Sequence, residues 1–531
     1  RCQRFGFITT NSIHQTFNRR VIEPFLADAK NPLHLAYAIP DHPWIDSADG
    51  AAVRIAMTAA ARRKAEGILE KVVAERPMEH GENEVTLSKS RGVLAANLQL
   101  GSDLTSCHAL IANSKLASRG VQTIGAGFIV TEEEATNLGL GTIPNLKDCL
   151  KGYRNGKDLT DKPRGVCVID LFGLSEDEAK LNYPTLYQRV FTQVKPERDQ
   201  NNRNSYRINW WIFGEPRSNF RPALKNLLRY IATVETSKHR FFTFLDQSIL
   251  PDNMLVCFAL DDAFALGALS SQIHAVWSLA RGGTLEDRPR YNKTVCFDPF
   301  PFPALEESAL KQRIRDLGER LDAHRKRQQE LHPDLTLTGI YNVLQKIRSG
   351  EALNAKDKAV HNQGLISVLK QIHDDLDAAV LEAYGWTDIV SAIPPTDILA
   401  RGGPDAEALE QAILTRLVAL NHERAAEEKR GHVRWLRPDF QAPASSDGHR
   451  PTLQSEITIS EDDATPDTAA PVALLDWPTE LPAQVAALRK LLPTVGPDPE
   501  ALAACFGRKN KKRQDQITSI LETLRSLGHI L

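Results

Sequence analysis

At 531 residues the chain exceeds what one hydrophobic core sustains, so roughly two to four domains are expected. A hydrophobic fraction of 42% and a charged fraction of 25% exclude a disordered or fibrous chain, and no apolar run approaches the ~20 residues of a membrane span. Seven cysteines, at 2, 107, 149, 167, 257, 296 and 505, form neither a CxxC pair nor a Cys/His cluster at zinc spacing, which argues against a metal site and fits reduced thiols in a cytoplasmic protein.

In chain order, residues 5–10 predict a buried strand, and Asn11 or Ser12 caps a helix running to about residue 29. A second strand is expected over 33–38. The turn-rich stretch 39–50 leads to a third over 51–59. Strand–helix–strand–loop–strand is the closing half of an α/β sheet, a partial Rossmann-like arrangement. A lone opening strand needs partners, so the chain, which opens at Arg1, reads as the C-terminal part of something longer.

Residues 61–303 alternate short apolar segments (165–171, 208–213, 241–245, 254–260) with polar turns and helical stretches (223–232, 263–280), the pattern of a mixed α+β domain. Residues 304–440 are mostly helical, with Leu317, Leu321, Leu369, Ile372 and Leu376 at apolar positions between charges. Residues 441–476 read as an acidic flexible linker. A small helical unit, 477–531, closes the chain. The fold class is therefore multidomain: α/β, then α+β, then helical.

Several segments carry a family resemblance. RFGFITTNSIHQTFNRRVIEPFL at 4–26, followed by LHLAYAIPDHPWIDSADGAAVRIAMTAA at 33–60, resembles the segment after the catalytic loop of gamma-type amino-methylating DNA methyltransferases. NWWIFGEPRSNFRPALKNLLRYIATVETSKHRFF at 209–242 and the stretch 259–303 through RGGTLEDRPRYNKTVCFDPFPFP extend it. LDAHRKRQQELHPDLTLTGIYNVL at 321–344, HDDLDAAVLEAYGW at 373–386 and RLVALNHERAAEEKRGHVRWLRPDF at 416–440 complete it. Together they resemble the C-terminal two-thirds of the large type IIG/IIL restriction-modification methyltransferases. The resemblance implies 1–60 as the end of the catalytic domain and 61–303 as a target-recognition domain.

It also implies S-adenosylmethionine as methyl donor and adenine N6 as acceptor. Yet the Gly-rich cofactor loop and the Asn/Asp-Pro-Pro-aromatic loop of such enzymes do not precede Arg4. Asp298-Pro299-Phe300-Pro301, Ile393-Pro394-Pro395-Thr396 and Asn31-Pro32-Leu33 do not replace them. No catalytic residue is therefore assigned; on the resemblance, the catalytic and cofactor loops are expected upstream of Arg1. The chain alone is expected to bind double-stranded DNA without methylating it.

Three groups of residues carry that expectation. A flipped base needs stacking surfaces; His42, Pro43 and Trp44 could supply them, or Trp44 could simply plug the sheet edge. Asn11 and Ser12 could face the same cleft, or only cap the helix. Between 195 and 240 the chain places ten cations against four carboxylates, with Tyr206, Trp210, Trp211, Phe213 and Phe220 interleaved. Arg217, Arg221, Lys225, Lys238, His239 and Arg240 there are candidate phosphate contacts, and a solvated helix face is the alternative.

The third group follows a Gly-Gly pair. Glu286, Arg288 and Arg290 lie two apart and share one side of an extended segment, with Lys293 beyond. Arginine can bond guanine bidentately and a carboxylate can accept from cytosine; internal ion pairs are the alternative. His373, Asp374 and Asp377 suggest metal ligands by spacing but read as structural. The run 508–513 could touch phosphates or cap a surface. Beside the methyltransferase fragment, two readings stay open: a non-enzymatic DNA-binding specificity module served by a separate catalytic part, and a fusion whose nuclease lies upstream.

Overall fold

The computed structural model describes residues 3–14, 18–28, 30–31, 33–44, 53–63, 65–77, 83–101, 104–285, 288–304, 306–389 and 393–442, with isolated positions at 484, 488, 502 and 517–521. Arg1, upstream of which the resemblance puts the catalytic loops, lies outside the described residues. Residues 1–450 form one compact unit and 451–531 another. Within the second, Leu488, Leu502, Ile517 and Leu521 are buried. The expected linker, apart from its first two residues, and the run 508–513 also lie outside the described residues.

The first sheet has five strands: β1 (Arg4–Thr10), β2 (Leu33–Trp44), β3 (Val53–Arg62), β4 (Gly67–Pro77) and β5 (Asn83–Gly92), ordered β1-β3-β2-β4-β5. β3 runs against both β1 and β2, so those two are parallel to each other; β4 is parallel to β2, and β5 returns against β4. The strand–helix–strand order thus holds, but the sheet is mixed and continues to Gly92. Gly67 lets β4 close on β2: a Cβ there would stand 2.1 Å from the Leu35 carbonyl oxygen.

Two local expectations change. The single helix to residue 29 is broken into 3-10 turns (Asn11–His14, Asn18–Val21) and a five-residue helix, Glu23–Ala27. β2 does not stop at 38. It runs on through Pro40 to Trp44 with a bulge between Ile39 and His42. A proline has no N–H for the ladder and is tolerated at such a bulge.

The next strands are β6 (Ala117–Arg119), β7 (Ile129–Thr131), β8 (Leu150–Arg154), β9 (Val166–Ile169), β10 (Arg229–Val234), β11 (Thr243–Asp246), β12 (Ile249–Pro251) and β13 (Leu255–Phe258). They form two four-stranded sheets, β11-β10-β13-β6 and β12-β8-β9-β7. The expected helix over 223–232 is a short helix, Arg221–Leu224, followed by β10, whose residues 230–234 are all buried. Ile, Thr and Val in that stretch favour a strand buried on both faces. The segment 208–213 is a helix end and turn, with Trp210 and Phe213 in the core.

Helices α1 (Ala263–Ser270) and α2 (Gln272–Arg281) replace the single stretch expected over 263–280. Ser271 is extended between them, and the buried Asp377 carboxylate accepts the Gln272 N–H at 2.7 Å. Then come a hairpin, β14 (Gly283–Leu285) and β15 (Arg288–Arg290), and the helices α3 (Ala309–Leu331), α4 (Leu337–Ser349), α5 (Ile366–Ala383) and α6 (Pro404–Lys429). One apolar core joins the β10 sheet to these helices, from Phe242, Phe258, Trp277 and Phe297 to Leu321 and Leu376. Gly318 allows α3 to cross α1 closely, since a Cβ there would lie 2.5 Å from the Ala263 carbonyl oxygen.

Candidate nucleic-acid interface

At the carboxyl end of the first sheet, Thr10 of β1 and His42 of β2 stand opposite Ile55 from either side. The bulge before His42 sits beside Asp41. Its carboxylate accepts from Asn11 Nδ2 at 2.9 Å and Arg54 Nε at 2.7 Å, and Arg54 also reaches Glu75 at 2.8 Å. These contacts, Glu75 first and then Asp41, raise the Arg54 pKa. Asn11, Ser12, His42, Pro43 and Trp44 are therefore brought to one end of the sheet. Asn11 does not cap a helix; its amide is bonded to Asp41. Ser12 Oγ bonds Thr10 Oγ1 at 2.7 Å, His42 Nδ1 contacts the Pro43 carbonyl, and Trp44 is 45% exposed. Asp41, Arg54 and Glu75 escaped the sequence reading, because nothing local marks partners 13 to 30 residues apart.

The basic stretch is divided by the fold. Arg198 is fully buried, donating to the carbonyls of Thr123 (2.7 Å), Ile212 (3.1 Å) and Tyr206 (3.5 Å). Arg217 is 8% exposed and donates Nε–H to the Gly120 carbonyl. Arg221 grips Asp170 with both terminal nitrogens, at 2.7 and 3.1 Å, across the Phe172 ring. Arg240 turns inward to the carbonyls of Val234 and Pro289 and lies over Tyr291; burial lowers its pKa. Arg217, Arg221 and Arg240 are thus bonded to internal partners rather than standing on a solvated helix face. Lys225 and Lys238 are exposed, and Lys238 Nζ donates to Asn342 of α4 at 2.7 Å. His239 bonds the same amide oxygen at 2.8 Å, and burial lowers its pKa.

The extended segment after the Gly-Gly pair is part of the β14–β15 hairpin, with Leu285 opposite Arg288 and Gly283 opposite Arg290. Glu286 lies outside the described residues. Arg288 is exposed near the tip, whereas Arg290 binds the buried Glu235 at 2.8 Å and Lys293 faces Asp298 at 3.4 Å. The hairpin lies against the 235–240 segment: Ser237 N–H donates to Pro289 O, Tyr291 N–H to Glu235 O, and Thr236 bridges Arg290. Two groups some fifty residues apart in sequence, Lys238–Arg240 and 288–293, thus form one surface. Glu235 and Arg119, which hold that seam, were also missed.

Residues 108–304, which carry this surface, match the family described as MmeI, target recognition domain. This stretch is similar to an MmeI-type target-recognition domain. The wider chain is similar in fold to the solved type IIL restriction-modification enzyme MmeI in complex with DNA, with a TM-score of 0.56 at 19% identity. That likeness covers 80% of this chain and 50% of the other, so the chain spans about half the length of that enzyme. The type IIG restriction endonuclease BpuSI aligns at 12% identity with a TM-score of 0.26, over 72% of this chain and 47% of the other, too distant to carry an argument. No curated protein matches the sequence. Among the described residues, no group of three His, Cys, Asp or Glu could hold a metal. His373 bonds Tyr341 and Asp377 caps α2, which are structural roles. Among the described residues no helix is long and apolar enough to cross a membrane.

Proposed function

We propose that this chain is the DNA-recognition part of a site-specific, S-adenosylmethionine-dependent adenine-N6 DNA methyltransferase of a restriction-modification system. The match of residues 108–304 to a target-recognition domain carries the reading. The duplex is its partner. Lys225 and Lys238 contact phosphates, and the hairpin enters a groove with Arg288 toward base edges. Asn11, Ser12, His42, Pro43 and Trp44 line the pocket for the flipped base, with Trp44 as its stacking surface.

The described residues do not by themselves fit S-adenosylmethionine. The Asp41 carboxylate at the strand ends is already engaged by Asn11 and Arg54. Among the described residues no Gly-rich loop of the kind the family resemblance calls for is assigned. The methyl-transfer machinery, with any nuclease, is thus assigned to a further part, fused or separate. The engaged network also suits the second reading, a specificity module whose catalysis is supplied by another chain.

Binding of the full chain to a randomised duplex library, followed across salt concentrations, tests the proposal. A sequence-selected subset with a steep salt dependence is expected. Equal recovery of all sequences would overturn target recognition, and radiolabelled methyl transfer by this chain alone would overturn its expected inactivity.

A further inference from the structure

Glu235 stands just past β10 with 6% of its side chain exposed. A carboxylate taken out of water is costly unless charged hydrogen-bond donors meet it, and here two arginines do so. Arg119, the last residue of β6, donates Nη2–H to Oε2 at 2.5 Å and spends its Nε–H on the Asn253 carbonyl at 3.1 Å. Arg290, the last residue of β15, places Nε and Nη2 on Oε1, both at 2.8 Å. One oxygen of Glu235 is thus tied to the sheet and the other to the hairpin.

The backbone follows the same seam. Tyr291 N–H donates to Glu235 O at 2.7 Å, Thr236 bridges Arg290, and Ser237 N–H donates to Pro289 O at 3.2 Å. Residues 289–291 are moored to 235–237, while Arg288 stands exposed one residue further toward the tip. A bidentate base contact tolerates little misplacement, so the residue that seats the hairpin governs what its tip can read.

We infer that Glu235 is a positioning residue for sequence discrimination: through Arg290 it fixes how the 283–290 hairpin meets the DNA groove, without touching the DNA itself. The inference rests on the reading of the hairpin as the base-reading element. It also changes the role of Arg290, which becomes a clamp rather than a reader.

The test uses the full chain and a duplex library with a randomised core, scoring enrichment of the preferred sequence over random duplex and the salt slope of binding. Glu235→Gln should cut the enrichment by about tenfold or more and leave the salt slope unchanged, since no phosphate contact is lost. Glu235→Asp, which keeps the charge, should restore part of the preference. Arg290→Gln, at a side chain one-third exposed, should weaken preference across the whole site rather than at one base pair. Added to Glu235→Gln it should cost nothing further.

Unchanged enrichment in Glu235→Gln overturns the assignment. So does an Arg290→Gln effect confined to one base pair, or additivity of the two substitutions. If Glu235→Gln does not fold, Arg290→Gln alone still decides between clamp and reader. A parent chain with no sequence preference overturns the hairpin reading itself, an outcome visible before any variant is made.

Discussion

Residues 195–221 and the paired segments 238–240 and 288–293 both concentrate cations, but the fold spends them differently. In the first stretch three of the five guanidinium groups turn inward, Arg198 to three carbonyls, Arg217 to one and Arg221 to a carboxylate, while Arg203 and Arg207 stay exposed. In the second, Arg240 and Arg290 build the base of a projecting hairpin while Lys238 and Arg288 stand exposed. A run of positive charge in a sequence is a surface potential only where no carbonyl or carboxylate has claimed it. Arginine, with five donors in a rigid fork, is claimed more readily than lysine.

The largest expected effect breaks the comparison if it fails. Arg198→Ala strands three carbonyls in the interior, which should cost about 3 kcal/mol or more, measured as a lowered urea midpoint. Loss of DNA affinity at unchanged stability would mean that Arg198 belongs to the interface. Arg288→Ala, by contrast, should leave stability alone, cost about 1–3 kcal/mol and relax preference at one base pair. A uniform loss over all sequences would make Arg288 a phosphate contact.

A pH experiment sharpens the picture of the hairpin's base. His274, fully buried behind Tyr291, is pushed down to about 3, chiefly by burial and then by the Arg240 charge. Its folded pKa lies below the unfolded value of 6.5, so the unfolded chain binds the extra proton. That stability is present above pH ~6.5 and is lost as pH falls toward ~3, the loss reaching about 2 kcal/mol at pH ~5. His274→Asn should flatten this decline in denaturation midpoints between about pH 7.5 and 5. An unchanged decline would move the titration to another group.

The smallest effect concerns Lys238. Lys238→Ala should weaken binding to all duplexes alike and reduce the salt slope by about 1. Lys225→Ala should behave in the same way. An unaltered slope in either would confine the interface to the hairpin.

Much of the fold was legible because local pattern and final structure agree. The strands at 166–169 and 255–258 lie where apolar β-branched runs placed them, and the helices after 304 follow their leucine spacing, whereas 4–10 is a strand but an exposed one at the sheet edge rather than the buried strand expected. The misreadings have specific causes. The 223–232 stretch hides a short helix and a strand in one apolar run that periodicity cannot divide. The helix expected over 263–280 breaks at Ser271 because Asp377, 105 residues away from Gln272, supplies a competing acceptor. Of the site residues, Lys225, Lys238 and Arg288 are exposed, whereas Arg217, Arg221 and Arg240 turn inward.

By itself the sequence determined the order of the regions, the type of most elements and the stretches that concentrate charge, since these depend on local composition and periodicity. Only the tertiary structure decided which cations reach solvent, that Lys238–Arg240 and the 283–290 hairpin form one surface, and that Glu235 joins Arg119 to Arg290. The reason is physical. A charged group's role is set by the dipoles and counter-charges that packing brings within hydrogen-bond reach, and for Glu235 the two partners are 55 and 116 residues away along the chain.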